Sequence, residues 1–204
     1  MRYLFRLIRK IWDMFSSAIT VFIIIIILNT FVFVNAYIPS TSMFPTVNKG
    51  DRIMGYRLAY NDRKPSRYDI IIFRFPDDHE KLYIKRVIGL PGDEISLVGG
   101  HIMVNGEASD ESFCDPGSDT SPGTMVYPFT VPENSYFVLG DNRNNSEDSR
   151  FWKDHFVEDS EIVAKAVLRY WPVSGFRMLS ASEIAQTGER NEQQNVAVPV
   201  DNIE

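Results

Sequence analysis

Apolar residues are spaced along this chain in two different rhythms. Between residues 14 and 48 no charged side chain occurs, and the stretch Ala18-Ile19-Thr20-Val21-Phe22-Ile23-Ile24-Ile25-Ile26-Ile27-Leu28 is apolar on every face a helix can present. Roughly 20 apolar residues suffice to cross a bilayer, so the pattern predicts one transmembrane helix over 14–37. Beyond it the rhythm shortens to β-like runs: Arg52 to Tyr56, Asp69 to Phe75, Leu82 to Ile88, Glu94 to Val98, His101 to Val104, Met125 to Val131, Ser135 to Leu139 and Ile162 to Tyr170. Leu90-Pro91-Gly92-Asp93, Gly99-Gly100 and Asn105-Gly106 supply turns between them. The reading is a mostly β fold: a membrane-anchored antiparallel β-sheet domain over 38–177 behind one N-terminal transmembrane helix. A stretch over about 105–123, rich in Asp, Ser, Gly and Pro, reads as an irregular insertion, and 178–204 as a flexible acidic tail.

Charge adds a direction. The formal net charge is −6, but residues 1–40 carry Arg2, Arg6, Arg9 and Lys10 against Asp13 alone, whereas residues 105–121 carry five acids and no base. Basic residues before an apolar span and none just after it place residues 1–13 in the cytoplasm as a basic flank and the β domain on the outer face of the membrane. No basic surface remains for a polyanion, so nucleic acid is not an expected partner. Val34-Asn35-Ala36 has the small residues of a processing site, but the apolar run before it exceeds the roughly 7 to 15 residues of a cleavable signal sequence. The anchor is therefore expected to stay attached. Cys114 stands alone and can form no internal disulfide.

Three stretches carry candidate chemistry. The first, Pro39-Ser40-Thr41-Ser42-Met43-Phe44-Pro45-Thr46, sets hydroxyls between two prolines whose fixed φ restrains the backbone, although composition alone would make it a juxtamembrane linker. The second, Leu82-Tyr83-Ile84-Lys85-Arg86-Val87-Ile88, is an apolar strand holding two adjacent cations. Alternation puts Lys85 on the face of Tyr83 and Val87, and Arg86 on that of Ile84 and Ile88. An edge strand protected by charge explains this as well as a lysine desolvated to act as a base. The third, Gly140 to Arg150, follows the strand Tyr136-Phe137-Val138-Leu139 and is dense in opposite charges. A calcium loop is excluded because Arg143, Ser146 and Trp152 stand where a ligand, a glycine and a bidentate Glu are required. A self-bracing loop that fixes a small hydroxyl fits better.

Taken in order with Gly50-Asp51 and Lys85-Arg86-Val87-Ile88-Gly89-Leu90-Pro91-Gly92-Asp93, these blocks resemble the bacterial type I signal peptidases over residues 37 to about 172. The resemblance implies a membrane-bound serine endopeptidase with a Ser/Lys dyad, removing signal peptides from exported preproteins after Ala-x-Ala through an acyl-enzyme. By motif position Ser42 would be the nucleophile and Lys85 the general base. Ser146 would orient the lysine, and the Ser40 hydroxyl with the Ser42 N–H would form the oxyanion hole. Asp141, Arg143, Asp148 and Arg150 would brace the site. Ile38, Met43 and Ile84 are candidate walls of shallow substrate pockets. Expected partners are signal sequences and the lipid bilayer of a bacterial cell membrane, with no cofactor, metal or nucleic acid. The sequence departs from the family pattern at Asn144, Val47 and Lys153-Asp154-His155. Alternatives are a Ser/Lys processing peptidase of a secretion or conjugation system, or a non-catalytic anchored β domain that binds exported chains. His79, His101 and His155 are expected to be surface or strand residues.

Independently of any family, Ser42 lies about five residues beyond Tyr37, and an extended chain spans about 3.3 to 3.6 Å per residue. The nucleophile is then expected within about 20 Å of the bilayer, facing peptides that emerge from it and lie extended beside the Lys85 strand.

Overall fold

The computed structural model of the protein describes residues 2–115 and 117–179, and for residues 2–11 and 13 the backbone alone. The residues from 180 of the expected tail lie outside this set. Helix α1 (Arg2–Ile27) continues into a π-helical stretch, Leu28–Val32. Within them Met14–Val32 has a mean hydropathy of 2.4 and no buried residue, so it meets the length and composition of a membrane span. The helical stretch ends five residues earlier than the apolar run predicted, because Phe33–Tyr37 is strand β1. Its register with β2 (Arg52–Tyr56) runs from Phe33 opposite Tyr56 to Tyr37 opposite Arg52. A partner strand, not apolar composition, decides the conformation of these five residues.

The other strands are β3 (Ile70–Phe75), β4 (Asp78–Gly89), β5 (Glu94–Val98), β6 (His101–Val104), β7 (Glu107–Ala108), β8 (Phe129–Thr130), β9 (Ser135–Leu139), β10 (Val157–Glu158), β11 (Ile162–Trp171) and β12 (Arg177–Met178). An antiparallel sheet has the order β1-β2-β11-β3-β4-β9-β10, with β12 added to β11, and a smaller sheet has the order β7-β6-β5-β8. The fold is mostly β, as read from the sequence. Of the expected Met125 to Val131 strand only β8 pairs. The expected irregular insertion holds β7 and sends Phe113 into the core beneath the smaller sheet. Of the residues assigned to the tail, Met178 pairs with Leu168 and Leu179 is buried in one core with Ile53 and Ile70.

Strand β3 shows why the sheet is thick enough to hold a buried site. Its run Ile70-Ile71-Ile72-Phe73 is buried on both faces: Ile70 and Ile72 join a core with Ile38, Met43 and Val47, whereas Ile71 and Phe73 join another with Val87, Tyr136 and Trp152. Each such side chain contributes about 1.5 to 3 kcal/mol by leaving water. The turn after β4 is set by Asp93, whose carboxylate accepts the Leu90 N–H at 2.6 Å while Gly92 adopts φ +84°. That turn reverses the chain from the large sheet into the small one.

Candidate active site

The serine segment follows β1 and is held at both ends. Ile38 N–H donates to the Asp51 carbonyl at 3.0 Å and Gly50 N–H returns to the Ile38 carbonyl at 2.8 Å. Between these bonds Ile38, Met43 and Val47 bury their side chains in one core, so the intervening turn cannot swing as a linker would. Ser42 is left 8% exposed, with its Oγ 3.3 Å from the Ser40 Oγ. Met43, expected as a pocket wall, is instead fully buried and does not line the cleft, because its side chain is one of the pins that hold the turn.

Lys85 lies on β4, which is central and not an edge strand: it pairs with β3 through Lys85 opposite Ile71, and with β9 from Arg86 onward. Its face carries Tyr83 and Val87 as alternation predicts, and it is 3% exposed. Burial pushes the ammonium down from the ordinary lysine value to about 8, against the raising effect of the Asp148, Asp141 and Glu147 carboxylates. The amine is neutral in about one molecule in ten at pH 7, compared with about one in 2,500 for a free lysine.

Next in the chain, Arg86 points to the opposite face and is fully buried. Its guanidinium grips Asp141 with two bonds, Nε to Oδ1 at 2.7 Å and Nη2 to Oδ2 at 2.6 Å, and stacks 4.1 Å over the Phe113 ring. Further bonds run to the Tyr68 carbonyl at 3.0 Å and the Thr46 hydroxyl at 3.3 Å. One side chain thereby connects β4, the serine segment and the polar loop after β9.

That loop is braced from inside and outside. Asp148 binds the Arg150 Nε at 2.7 Å and accepts the Gly140 N–H at 3.0 Å, while Arg150 Nη2 donates to the Arg143 carbonyl at 2.9 Å. The self-bracing expectation holds for this pair only. Asp141 is held by Arg86, and Arg143 by Glu111 at 2.6 Å and Thr120 at 2.7 Å, both from the insertion. Three amide bonds then tie the loop to the serine segment: Asn142 N–H to the Ser42 carbonyl at 3.0 Å, Asn142 Nδ2 to the Thr41 carbonyl at 3.2 Å and Asn145 Nδ2 to Thr41 Oγ1 at 3.1 Å. Gly140 is wedged between the two stretches: a Cβ there would lie 2.2 Å from Ser146 Oγ and 2.4 Å from the Ser42 carbonyl oxygen. Ser146 itself is buried, and its Oγ makes no hydrogen bond within the described residues.

Ser40, Ser42, Lys85 and Ser146 line one cleft of about 730 Å³, with Ile38 and Ile84 among its walls. The cleft also borders Leu82 and Tyr83, on the part of β4 that β9 leaves unpaired. Hydroxyls that share one cleft with an amine held below its usual pKa can support nucleophilic attack assisted by a base. Arg86, Gly140, Asn142, Asn145 and Glu111 were not picked out from the sequence. Only Arg86 carried a signal, as the second cation of an apolar strand. His79 and His101 are exposed and paired with Glu161 and Glu111, and His155 places Nδ1 2.7 Å from the Ser149 carbonyl oxygen.

The family model described as signal peptidase, peptidase S26, matches residues 11–171. A protein described as probable signal peptidase I-2 of Synechocystis sp. is 38% identical over 171 residues, covering 81% of this chain and 75% of that protein. Signal peptidase I of Leptolyngbya laminosa is 41% identical over 155 residues, covering 72% and 73%. A crystal structure of a signal peptidase I from Enterococcus faecalis aligns at 32% identity with a TM-score of 0.42, over 50% of this chain and 97% of that one. The chain thus belongs to the signal peptidase family, peptidase S26, and is a serine peptidase of the kind that removes signal peptides.

Proposed function

We propose that the chain cleaves preproteins through a Ser42/Lys85 dyad, after small residues of the Ala-x-Ala type, at the outer face of a bacterial cell membrane. The observation that carries this reading is Lys85, almost wholly buried in the same cleft as Ser42 and pushed down by that burial to about 8. Neutral Lys85 takes the proton of Ser42 Oγ as that oxygen attacks the scissile carbonyl carbon. Negative charge developing on the carbonyl oxygen is met by the Ser40 hydroxyl and the Ser42 N–H, and losing such a donor typically costs about 2.7 to 4 kcal/mol. The tetrahedral species collapses, the amine leaves with the proton from Lys85, and an ester on Ser42 remains. A water molecule deprotonated by Lys85 then attacks the ester, and as the signal peptide's new carboxylate is freed the lysine returns its proton to Ser42 Oγ. Ser146 orients the lysine amine, and Asp141, Arg143, Asp148 and Arg150 hold the loop that carries it.

The substrate lies extended along Leu82, Tyr83 and Ile84, where β4 offers unpaired backbone groups to a peptide strand. Ile38 and Ile84 wall shallow apolar pockets that accept alanine-sized side chains. With the helical stretch ending at Val32, ten residues separate it from Ser42, so the nucleophile is at most about 36 Å from the bilayer instead of the 20 Å expected from the sequence. That distance still suits a preprotein held in the membrane by its signal sequence.

The test is cleavage of one preprotein by the full chain in detergent, with the cut mapped by N-terminal sequencing of the product. Ser42→Ala and Lys85→Ala are each expected to abolish turnover with the fold intact. A Lys85→Ala protein with near-normal turnover would remove the dyad. Equal cleavage after bulky residues at the two alanine positions would remove the specificity.

A further inference from the structure

Away from the catalytic cleft a second cleft of about 450 Å³ is lined by Arg57, Tyr60, Arg63 and Lys64 together with Asp62 and Asp159. Its place in the fold is unusual. Arg57 opens the short 3-10 turn that follows β2, and its Nε donates to the Phe33 carbonyl at 3.2 Å. Phe33 is the first residue after the Met14–Val32 span. One residue of extended chain advances about 3.3 Å, and the headgroup layer on each side of the hydrocarbon is about 5 to 8 Å deep. Arg57 is therefore within the headgroup layer if residues 14–32 cross a bilayer.

The charges in this cleft are unevenly used. Lys64 is paired with Asp159, which also accepts the Tyr136 hydroxyl at 2.8 Å. Tyr60 turns its hydroxyl inward to Asp69 at 3.0 Å, so its ring forms the floor. Arg63 uses only Nε, on the Ala59 carbonyl at 3.0 Å. The terminal nitrogens of Arg57 and Arg63 meet no acceptor among the described residues, while Asp62 brings one opposing charge to the rim. Phe31, two residues before Phe33, and Leu58, the residue after Arg57, are 66% and 41% exposed, apolar side chains suited to the acyl boundary beneath a headgroup.

We propose that this cleft binds the phosphate of an anionic phospholipid in the leaflet nearest the β domain. Two open guanidinium forks match phosphate oxygens in pairs, and the apolar rim gives a lipid chain somewhere to lie that a free anion lacks. Fixing Arg57 fixes the start of β1 through Phe33, so a bound headgroup sets the height at which the domain sits over the membrane. The inference rests on residues 14–32 being a span and not on the dyad.

The test uses the full chain in a sugar detergent without phosphate, following the unfolding midpoint as phosphatidylglycerol, phosphatidylcholine or inorganic phosphate is added. Phosphatidylglycerol is expected to raise the midpoint saturably and at lower concentration than phosphatidylcholine, and inorganic phosphate to leave it unchanged. Arg57→Gln/Arg63→Gln is expected to weaken the phosphatidylglycerol response about tenfold or more, and Lys81→Gln, a cation paired with Asp78 outside the cleft lining, to leave it intact. Arg63→Gln alone serves if the double variant does not fold. Equal responses of wild type and variant, a matching response to inorganic phosphate, or an equal loss in Lys81→Gln would each overturn the site. Vesicle flotation of the same proteins reports the anchor separately: loss of flotation would reject the span, whatever the headgroup response.

Discussion

Arg86 binds both carboxylate oxygens of Asp141 while sitting beside Lys85 in sequence and on the opposite face of the same strand. The pair is fully buried, so removing one partner strands a charge and is expected to cost about 3 to 5 kcal/mol. Arg86→Lys keeps the charge but cannot make the fork. Urea denaturation should show Arg86→Lys and Asp141→Asn both destabilised, and turnover should fall in the protein that remains folded, because Asp141 sits two residues from Arg143 in the loop that carries Ser146. Unchanged stability in Asp141→Asn would mean that the other bonds of Arg86 do this work.

Lys85 should leave a mark on stability as well as on rate. Its folded value of about 8 lies below the unfolded value of 10.5, so the unfolded chain binds more protons between these limits and stability gains with pH there. The cost of holding a charged lysine is fully present below about pH 8 and fades as pH rises through 10.5. Lys85→Met, similar in length and apolar, should exceed wild type by about 3 kcal/mol at pH 7, with the gap closing above the unfolded value. In wild type, kcat/KM should rise with pH to a limb near 8. Denaturation midpoints of both proteins across this range check the first statement. A gap independent of pH would show that packing, not charge, separates them.

The sheet was largely legible in the sequence because its central strands combine apolar runs with turn residues that have mechanical reasons to be there. Arg52–Tyr56, Glu94–Val98, His101–Val104 and Ser135–Leu139 have the bounds expected of them. Strand β1 was hidden inside an apolar run that also satisfies a membrane helix, and only pairing with Arg52–Tyr56 separates the two. Short strands such as Val157–Glu158 carry no periodicity to detect. Within the site, Lys85 stood out because a cation in an apolar strand needs a reason. Glu111 could not be found that way, since its value comes from Arg143, far off in sequence, and nothing local distinguishes it from the other acids of the insertion.

Gly140 offers a steric test that leaves every polar group in place. Adding one methyl there puts carbon 2.2 Å from Ser146 Oγ and 2.4 Å from the Ser42 carbonyl, distances that nonbonded atoms do not tolerate. Gly140→Ala should therefore push the two stretches apart, and a displacement near 1 Å can lower turnover about a hundredfold. Steady-state kinetics with a preprotein should show the loss in kcat, and Gly50→Ala, with open space around its Cβ position, should keep a larger share of activity despite its φ of +93°. If Gly140→Ala were as active as wild type, the contact between the serine segment and the loop would have no part in catalysis.

Ser146 and Ser149 separate orientation of the base from support of the loop. Ser149 carries the same hydroxyl three residues further along the loop. Its Oγ, however, accepts the Val138 N–H at 3.0 Å, and its own N–H donates to the Val138 carbonyl at 3.2 Å, so it splices the loop onto β9. Ser149→Ala leaves a buried N–H without its partner and should cost about 1 to 3 kcal/mol of stability. Ser146 Oγ makes no hydrogen bond among the described residues, so Ser146→Ala should leave the denaturation midpoint nearly unchanged. If Ser146 orients Lys85, that same variant should lose kcat by about 10² to 10³ with KM nearly constant, since a contact made to the amine only during proton transfer touches no substrate. Ser146→Thr has little room, because the space between Ser146 and Gly140 does not admit even one added carbon on Gly140, and should not restore the rate. The two alanine variants are thus expected to cross over, one losing rate and the other stability. Measuring kcat and the urea midpoint on both decides the matter: a Ser146→Ala protein with normal kcat removes Ser146 from the chemistry, whatever Ser149→Ala does.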